Sequence, residues 1–137
     1  MKLTSGGILH LGFLIVGAGY TGRPLGEYLT EQGRDVVATR TESDDSQSYP
    51  ICSYRLGNNS DWEHVLKKLD DGSFTCVFTA GPPRLDSNEQ SLSLYQQFLE
   101  QLPADRLERF LFLSSTSVYG DADGEWVNET TPADPLT

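Results

Sequence analysis

The chain has 137 residues, enough for one domain with a real core but few for an enzyme that must hold both a dinucleotide and a substrate. Ten basic against twenty acidic residues leave a formal charge of −10, which repels nucleic-acid backbones and provides no basic stripe to grip them. No apolar run approaches the length of a membrane span, so neither nucleic acid nor membrane is an expected partner, and a cytoplasmic location is expected.

Lys2 and the apolar stretch from Ile8 to Val16 have the outline of a signal peptide. That stretch runs straight into a glycine motif, however, and reads better as a first strand over residues 12–16. Gly17-Ala18-Gly19-Tyr20-Thr21-Gly22 follows it, the order that a dinucleotide-binding βα turn requires. Gly17 permits the tight turn, Gly19 lets backbone approach a pyrophosphate, and Gly22 lets the next helix pack on the sheet. The helix then presents unpaired N–H groups and its positive dipole end to the phosphates. Pro24 in the first turn loses no hydrogen bond, and Leu25, Tyr28, Leu29 and Gln32 supply an amphipathic pattern. The expected cofactor contacts here are Gly17, Gly19, Tyr20, Thr21 and Gly22.

A second strand over residues 35–39 ends at Arg40. An NAD site usually has Asp or Glu at that point for the ribose hydroxyls, whereas arginine suits a 2′-phosphate, so NADP is expected over NAD. Arg40 could instead be a solvated loop residue paired with Glu42, Asp44 or Asp45, leaving Glu42 for the ribose. The polar connection from Arg40 to Ser48 is too short for a full crossover helix and predicts a loop that covers one sheet face thinly. A third strand spans 49–54. Ser60-Asp61-Trp62-Glu63 reads as a capping box that opens a helix burying Trp62, Val65, Leu66 and Leu69, with Gly72 beyond its end. A fourth strand over 74–79 leads into Thr79-Ala80-Gly81. Ser87-Asn88-Glu89-Gln90 is a second capping box, before Leu92, Tyr95, Phe98, Leu99 and Leu102 and the stop at Pro103. A fifth strand covers 110–114, and residues 120–137 are irregular, with their acids in a solvated loop. The fold class is therefore α/β, a Rossmann-like doubly wound parallel sheet of about five strands in a single domain over residues 1–137.

In the strand order 3-2-1-4, Cys52 and Cys76 have two other strands between them, beyond the ~7 Å limit for a disulfide, and both should be free and buried. His10 and His64 have no partner at ligand spacing, so no metal is expected.

Leu113-Ser114-Ser115-Thr116-Ser117-Val118-Tyr119-Gly120 follows the fifth strand and resembles the Ser-Ser-x-x-Val-Tyr-Gly segment of the NAD(P)-dependent epimerase/dehydratase family, the extended and atypical short-chain dehydrogenase/reductases. The resemblance runs from the glycine motif through Thr79, Ala80 and Gly81 to the Trp126…Glu129-Thr130-Thr131-Pro132 segment. It implies that Ser115 hydrogen-bonds the substrate oxygen, that Ser114, Thr116 and Tyr119 lie on the substrate side, and that Thr79, Ala80 and Gly81 contact the cofactor. The family's acid/base is a tyrosine with a lysine four residues later. Here the residues four after each tyrosine are Pro24, Gln32, Ser53, Asn58, Leu99 and Asp123, and the only lysines are Lys2, Lys67 and Lys68. The family's pair would fall just past Thr137. Tyr119, a phenol with no cationic neighbour in sequence, is expected to be structural or substrate-contacting. Gly17, Gly19 and Gly22 followed by Arg23 resemble the atypical branch, part of which lacks the pair.

The expected function is thus the NAD(P)-binding portion of an epimerase, dehydratase or reductase acting on a nucleotide sugar or related carbonyl or hydroxyl compound. The substrate-binding part is expected to lie outside this chain. The competing reading is a non-catalytic NADP-binding module that senses redox state or regulates a partner. Leu111 and Leu113 should lie on one face of the fifth strand and Phe110 and Phe112 on the other, leaving apolar surface through which the chain self-associates.

Overall fold

The structure, a computed structural model, describes residues 2–3, 9–10, 12–69, 72–79 and 88–135. Strands β1 (Lys2–Leu3) and β2 (Leu9–His10) pair antiparallel as a small separate ribbon. Part of the apolar run from Ile8 is therefore spent on that ribbon, and β3 (Gly12–Val16) starts the main sheet. With β4 (Asp35–Arg40), β5 (Ile51–Ser53), β6 (Phe74–Phe78) and β7 (Leu107–Phe112), it forms a five-stranded parallel sheet in the order β5-β4-β3-β6-β7. Among these five strands the order is 3-2-1-4-5, the Rossmann arrangement read from the sequence.

Both faces of this sheet are covered over its central strands, which is why those strands are continuously apolar, whereas the edge strand β7 is largely exposed. The two-residue period sends Leu14 and Val16 to one face, where they meet Trp62 and Val65 of α2 (Asn59–Lys68) and Phe98 of α3 (Asn88–Gln101). Ile15 faces the opposite layer with Val36, Ala38 and Val77, and Leu25 and Leu29 of α1 (Gly22–Glu31) pack there. Cys52 in β5 and Cys76 in β6 are buried and free, separated by β4 and β3. Burial pushes the Cys76 thiol up to about 12 and raises that of Cys52, so neither supplies a thiolate near neutral pH.

The 41–49 connection contains no helix, as expected, but the face it serves is not bare. Buried Tyr49 fills it, its ring packed so tightly on Gly26 that a Cβ there would lie 2.5 Å from the ring. Its hydroxyl donates to the Arg23 carbonyl at 3.0 Å.

Several boundaries differ from the sequence reading. The cap of α2 is Asn58, whose Oδ1 accepts from the Asp61 N–H at 3.1 Å, while Asp61 itself accepts from the Arg55 N–H; Ser60 already lies inside the helix. That helix closes at Leu69, ahead of Gly72, and Ser87 of the second capping box lies outside the described residues. The third strand contracts to Ile51–Ser53. The fifth begins earlier, at Leu107, with an irregularity opposite Phe74 and Thr75, and ends at Phe112 because only Leu113 N–H continues to β6, bonding Phe78 at 2.9 Å. Tyr28, Leu92 and Leu99 are exposed. The buried stripe of α1 is Gly22 and Gly26 instead, small residues that bring the helix close to the sheet.

Candidate functional site

The register sets Val16 beside Thr39 and Phe78, and Phe78 beside Phe112. Gly17, Arg40, Thr79 and Leu113 therefore leave the sheet along one carboxyl edge, the edge at which open α/β sheets bind ligands.

Each glycine of the motif occupies a distinct environment. Gly17 has φ +106°, a left-handed conformation that a side chain resists. Its N–H donates to Thr39 Oγ1 at 3.3 Å, the next N–H, of Ala18, donates to the Thr39 carbonyl at 2.7 Å, and the Thr79 hydroxyl donates to the Gly17 carbonyl. The turn is thus pinned between the ends of β4 and β6. At Gly22 a Cβ would lie 2.2 Å from the Gly17 carbonyl oxygen and 3.0 Å from both Ile15 Cγ2 and Thr79 Oγ1, so close helix–sheet packing requires glycine. At Gly19 a Cβ would meet no atom of the described residues beyond its chain neighbours within 4 Å, so packing among them gives no reason for glycine there. Thr21, at the cap of α1, makes no side-chain capping bond.

Ala18, Gly19, Tyr20, Arg23, Pro24 and Arg40 line an open cleft of about 630 Å³ at this edge. Tyr20, Thr21 and Arg40 are exposed. Of the loop acids that could have paired with Arg40, Asp44 pairs with Arg23 instead, Nη2 to Oδ2 at 2.7 Å. Hydrogen bonds from the Ser46 hydroxyl and N–H hold the Asp44 carboxyl below its ordinary value, against some desolvation, with Arg23 and Arg40 adding to the effect. The sequence reading missed Arg23 as a site residue. Its position just behind the third glycine was visible, but its partner depends on how the aperiodic 41–49 connection folds.

On the substrate side, Ser115 caps a 3-10 turn over Thr116–Tyr119, its hydroxyl accepting from the Ser117 N–H at 3.2 Å. Ser114, Ser115 and Thr116 are exposed and Tyr119 is half-buried. Asp134 N–H returns to the Val118 carbonyl at 2.8 Å, fastening the later loop to this turn. Ala80 and Gly81 lie outside the described residues, so Thr79 alone represents that expected contact segment. His64 is exposed on α2. Among the described residues no group of His, Cys, Asp and Glu is placed to hold a metal, and no helix is long and apolar enough to cross a membrane.

Comparison with known proteins locates these features in a wider set. The NAD dependent epimerase/dehydratase family matches residues 13–137. Protein YeeZ of Escherichia coli K12 is 33% identical over 129 residues, covering 90% of this chain and 47% of that protein, and its counterpart in strain O157:H7 matches equally. The chain thus spans about half the length of the curated relatives it matches. Among solved structures, a short-chain dehydrogenase/reductase superfamily protein from Agrobacterium tumefaciens with bound NAD has a TM-score of 0.68 at 18% identity, covering 91% of this chain and 39% of that one. A dTDP-glucose 4,6-dehydratase from Bacillus anthracis in complex with NAD also has a TM-score of 0.68, at 19% identity, covering 93% of this chain and 45% of that one. At these identities the structural likeness concerns the fold.

Proposed function

The chain belongs to the NAD dependent epimerase/dehydratase family, and from that premise we propose that it is the cofactor-binding portion of an epimerase, dehydratase or reductase that acts in the cytoplasm on a nucleotide sugar or a related carbonyl or hydroxyl compound. The pyrophosphate of a nicotinamide dinucleotide docks on the Gly17–Gly22 turn and the start of α1, the ribose end of the adenosine reaches Arg40, and NADP(H) binds more tightly than NAD(H). Gly19 is the observation that carries this reading. A Cβ there would touch no atom of the described residues beyond its chain neighbours within 4 Å, yet it would stand where phosphates approach the backbone.

When bound, the nicotinamide supplies hydride transfer to or from a substrate carbon. The chain's own residues do the rest of the work at this edge. Backbone N–H groups at the helix start hold phosphate oxygens, Arg40 reads a 2′-phosphate, and Ser115, fixed by its turn, keeps a hydroxyl proton free to donate to a substrate oxygen while its lone pair accepts from Ser117. No tyrosine in the chain is followed by lysine at the fourth position, so protons are not exchanged by that pair within these residues.

Titration of nicotinamide fluorescence tests the proposal. NADPH should bind more tightly than NADH, Arg40→Ala should weaken NADPH selectively, and Gly19→Val should abolish binding while melting like the parent. Equal loss of both cofactors in Arg40→Ala would remove Arg40 as phosphate reader, and unimpaired binding by Gly19→Val would sink the site.

A further inference from the structure

The cleft beside Gly19 holds two arginines and, at its border, one carboxylate. Arg23 and Arg40 both line it, from the first turn of α1 and the end of β4. Asp44 reaches in from the 41–49 connection and binds Arg23 at 2.7 Å, its other oxygen anchored by Ser46, whose N–H donates at 2.9 Å. Its charge also acts on Arg40, which makes no ion pair among the described residues. The connection is held in place independently of this pair: Asp44 forms a backbone bridge with Ile51, and Tyr49 is locked against Gly26 and the Arg23 carbonyl. The carboxylate is thus presented to the arginine pair by a fixed backbone.

We propose that Asp44 is a specificity-determining residue of the dinucleotide site, acting on Arg23: a 2′-phosphate on the adenosine ribose must exchange with the Asp44 carboxylate for the Arg23 guanidinium, whereas an unphosphorylated ribose need not. This rests on the proposed binding of a nicotinamide dinucleotide at the glycine turn. Two guanidinium groups facing a phosphate dianion would favour the phosphorylated cofactor strongly, and one carboxylate bound to Arg23 cancels part of that field and occupies one of its donors. The carboxylate repels a phosphate, but it can accept a hydrogen bond from a ribose hydroxyl. Asp44 therefore narrows the preference for NADP(H) that Arg23 and Arg40 create, and keeps NAD(H) within reach of the same cleft.

The test measures NADPH and NADH affinities of the full chain, with 2′,5′-ADP and 5′-AMP as minimal probes of the same cleft. Asp44→Asn, nearly isosteric and still able to accept from Ser46, should raise NADPH and 2′,5′-ADP affinity about tenfold, the scale of one charge-assisted hydrogen bond, while NADH and 5′-AMP change by less than about threefold. Arg23→Gln should lower the NADPH-to-NADH preference about fivefold, and in the double variant Asp44→Asn should no longer have its effect. Should Asp44→Asn prove poorly folded, Arg23→Gln alone decides: an unchanged preference overturns the proposal. Equal shifts for phosphorylated and unphosphorylated ligands, or none, also overturn it. Binding of neither dinucleotide by the unaltered chain would instead overturn the underlying function and this inference with it.

Discussion

The two flanks of the sheet are built differently. On the β3–β4–β5 side, polar chemistry is locked into packing: the glycine turn is pinned by Thr39 and Thr79, α1 is drawn in by Gly22 and Gly26, and the loop carrying Asp44 is fastened by Tyr49. On the β7 side, apolar side chains are left in the open. Leu111, Phe112 and Leu113 are 52%, 57% and 53% exposed, and Phe112 and Leu99 border an apolar groove between β7 and α3 with Tyr95. The difference teaches where each kind of chemistry is encoded: the proposed phosphate recognition would draw on backbone geometry within residues 12–54, while the strand nearest the expected substrate residues offers mostly hydrophobic surface and hydroxyls.

The largest expected effect breaks the first flank. Gly22→Ala puts a methyl 2.2 Å from the Gly17 carbonyl oxygen, a backbone atom that cannot rotate away, with Ile15 and Thr79 closing the sides. Relief requires α1 to move off the sheet, so we expect a loss of about 3 kcal/mol or more in denaturant unfolding, at the upper end of overpacking costs. A stable Gly22→Ala protein would show that α1 docks more loosely than the geometry indicates. The contrast with Gly19→Val, expected to spare stability and lose binding, separates the two uses of glycine in one motif.

Much of this flank was legible beforehand, because strand periodicity and a glycine motif are local signals. Gly17 and Gly22 occupy the roles that spacing assigned, and the five strands fall in the expected order. What escaped depends on tertiary approach. Nothing local marks Gly26 as the seat of the Tyr49 ring, or Asp44 as the partner of Arg23, because both contacts come from an aperiodic connection folding back on a helix more than twenty positions earlier. The end of β7 was misplaced for a similar reason: Leu113 and Ser114 continue the apolar and hydroxyl pattern, but the ladder with β6 stops at Phe112. Helix periodicity alone did not separate the buried Phe98 and Leu102 from the exposed Leu92 and Leu99 of α3.

The second flank yields the next effect. If its exposed leucines drive self-association, placing charges on both sides of the patch with Leu99→Glu and Leu111→Glu should weaken association about tenfold in sedimentation or light scattering. NADPH binding should stay within about twofold, since neither residue lines the glycine cleft. A parent chain that is monomeric at every concentration would end the idea, and would leave the flank as apolar surface with no partner among its own copies.

The smallest effect concerns the layer the two flanks share. Tyr54 packs against Trp62 and Phe98 with ring centroids 5.5 and 6.4 Å away, and its hydroxyl is buried without a hydrogen-bond partner among the described residues. An unpaired buried hydroxyl costs free energy that Tyr54→Phe removes while keeping the ring, so a gain of about 1 kcal/mol is expected near neutral pH. Alkaline unfolding sharpens the test. Burial, with Asp61 and Cys76 adding, raises the Tyr54 phenol from 10.0 to about 12 in the folded chain. A folded-state value above the unfolded one means that stability is fully present below about pH 10 and is lost as pH climbs toward 12, because the unfolded chain releases the proton first. Phenylalanine has no proton to release, so the advantage of Tyr54→Phe should widen across that interval. Cys76, also raised to about 12, still contributes its own decline in both proteins. Parallel stability curves for parent and variant between pH 9 and 12 would mean that the Tyr54 hydroxyl reaches solvent, and that the shared aromatic layer is more open than its packing indicates.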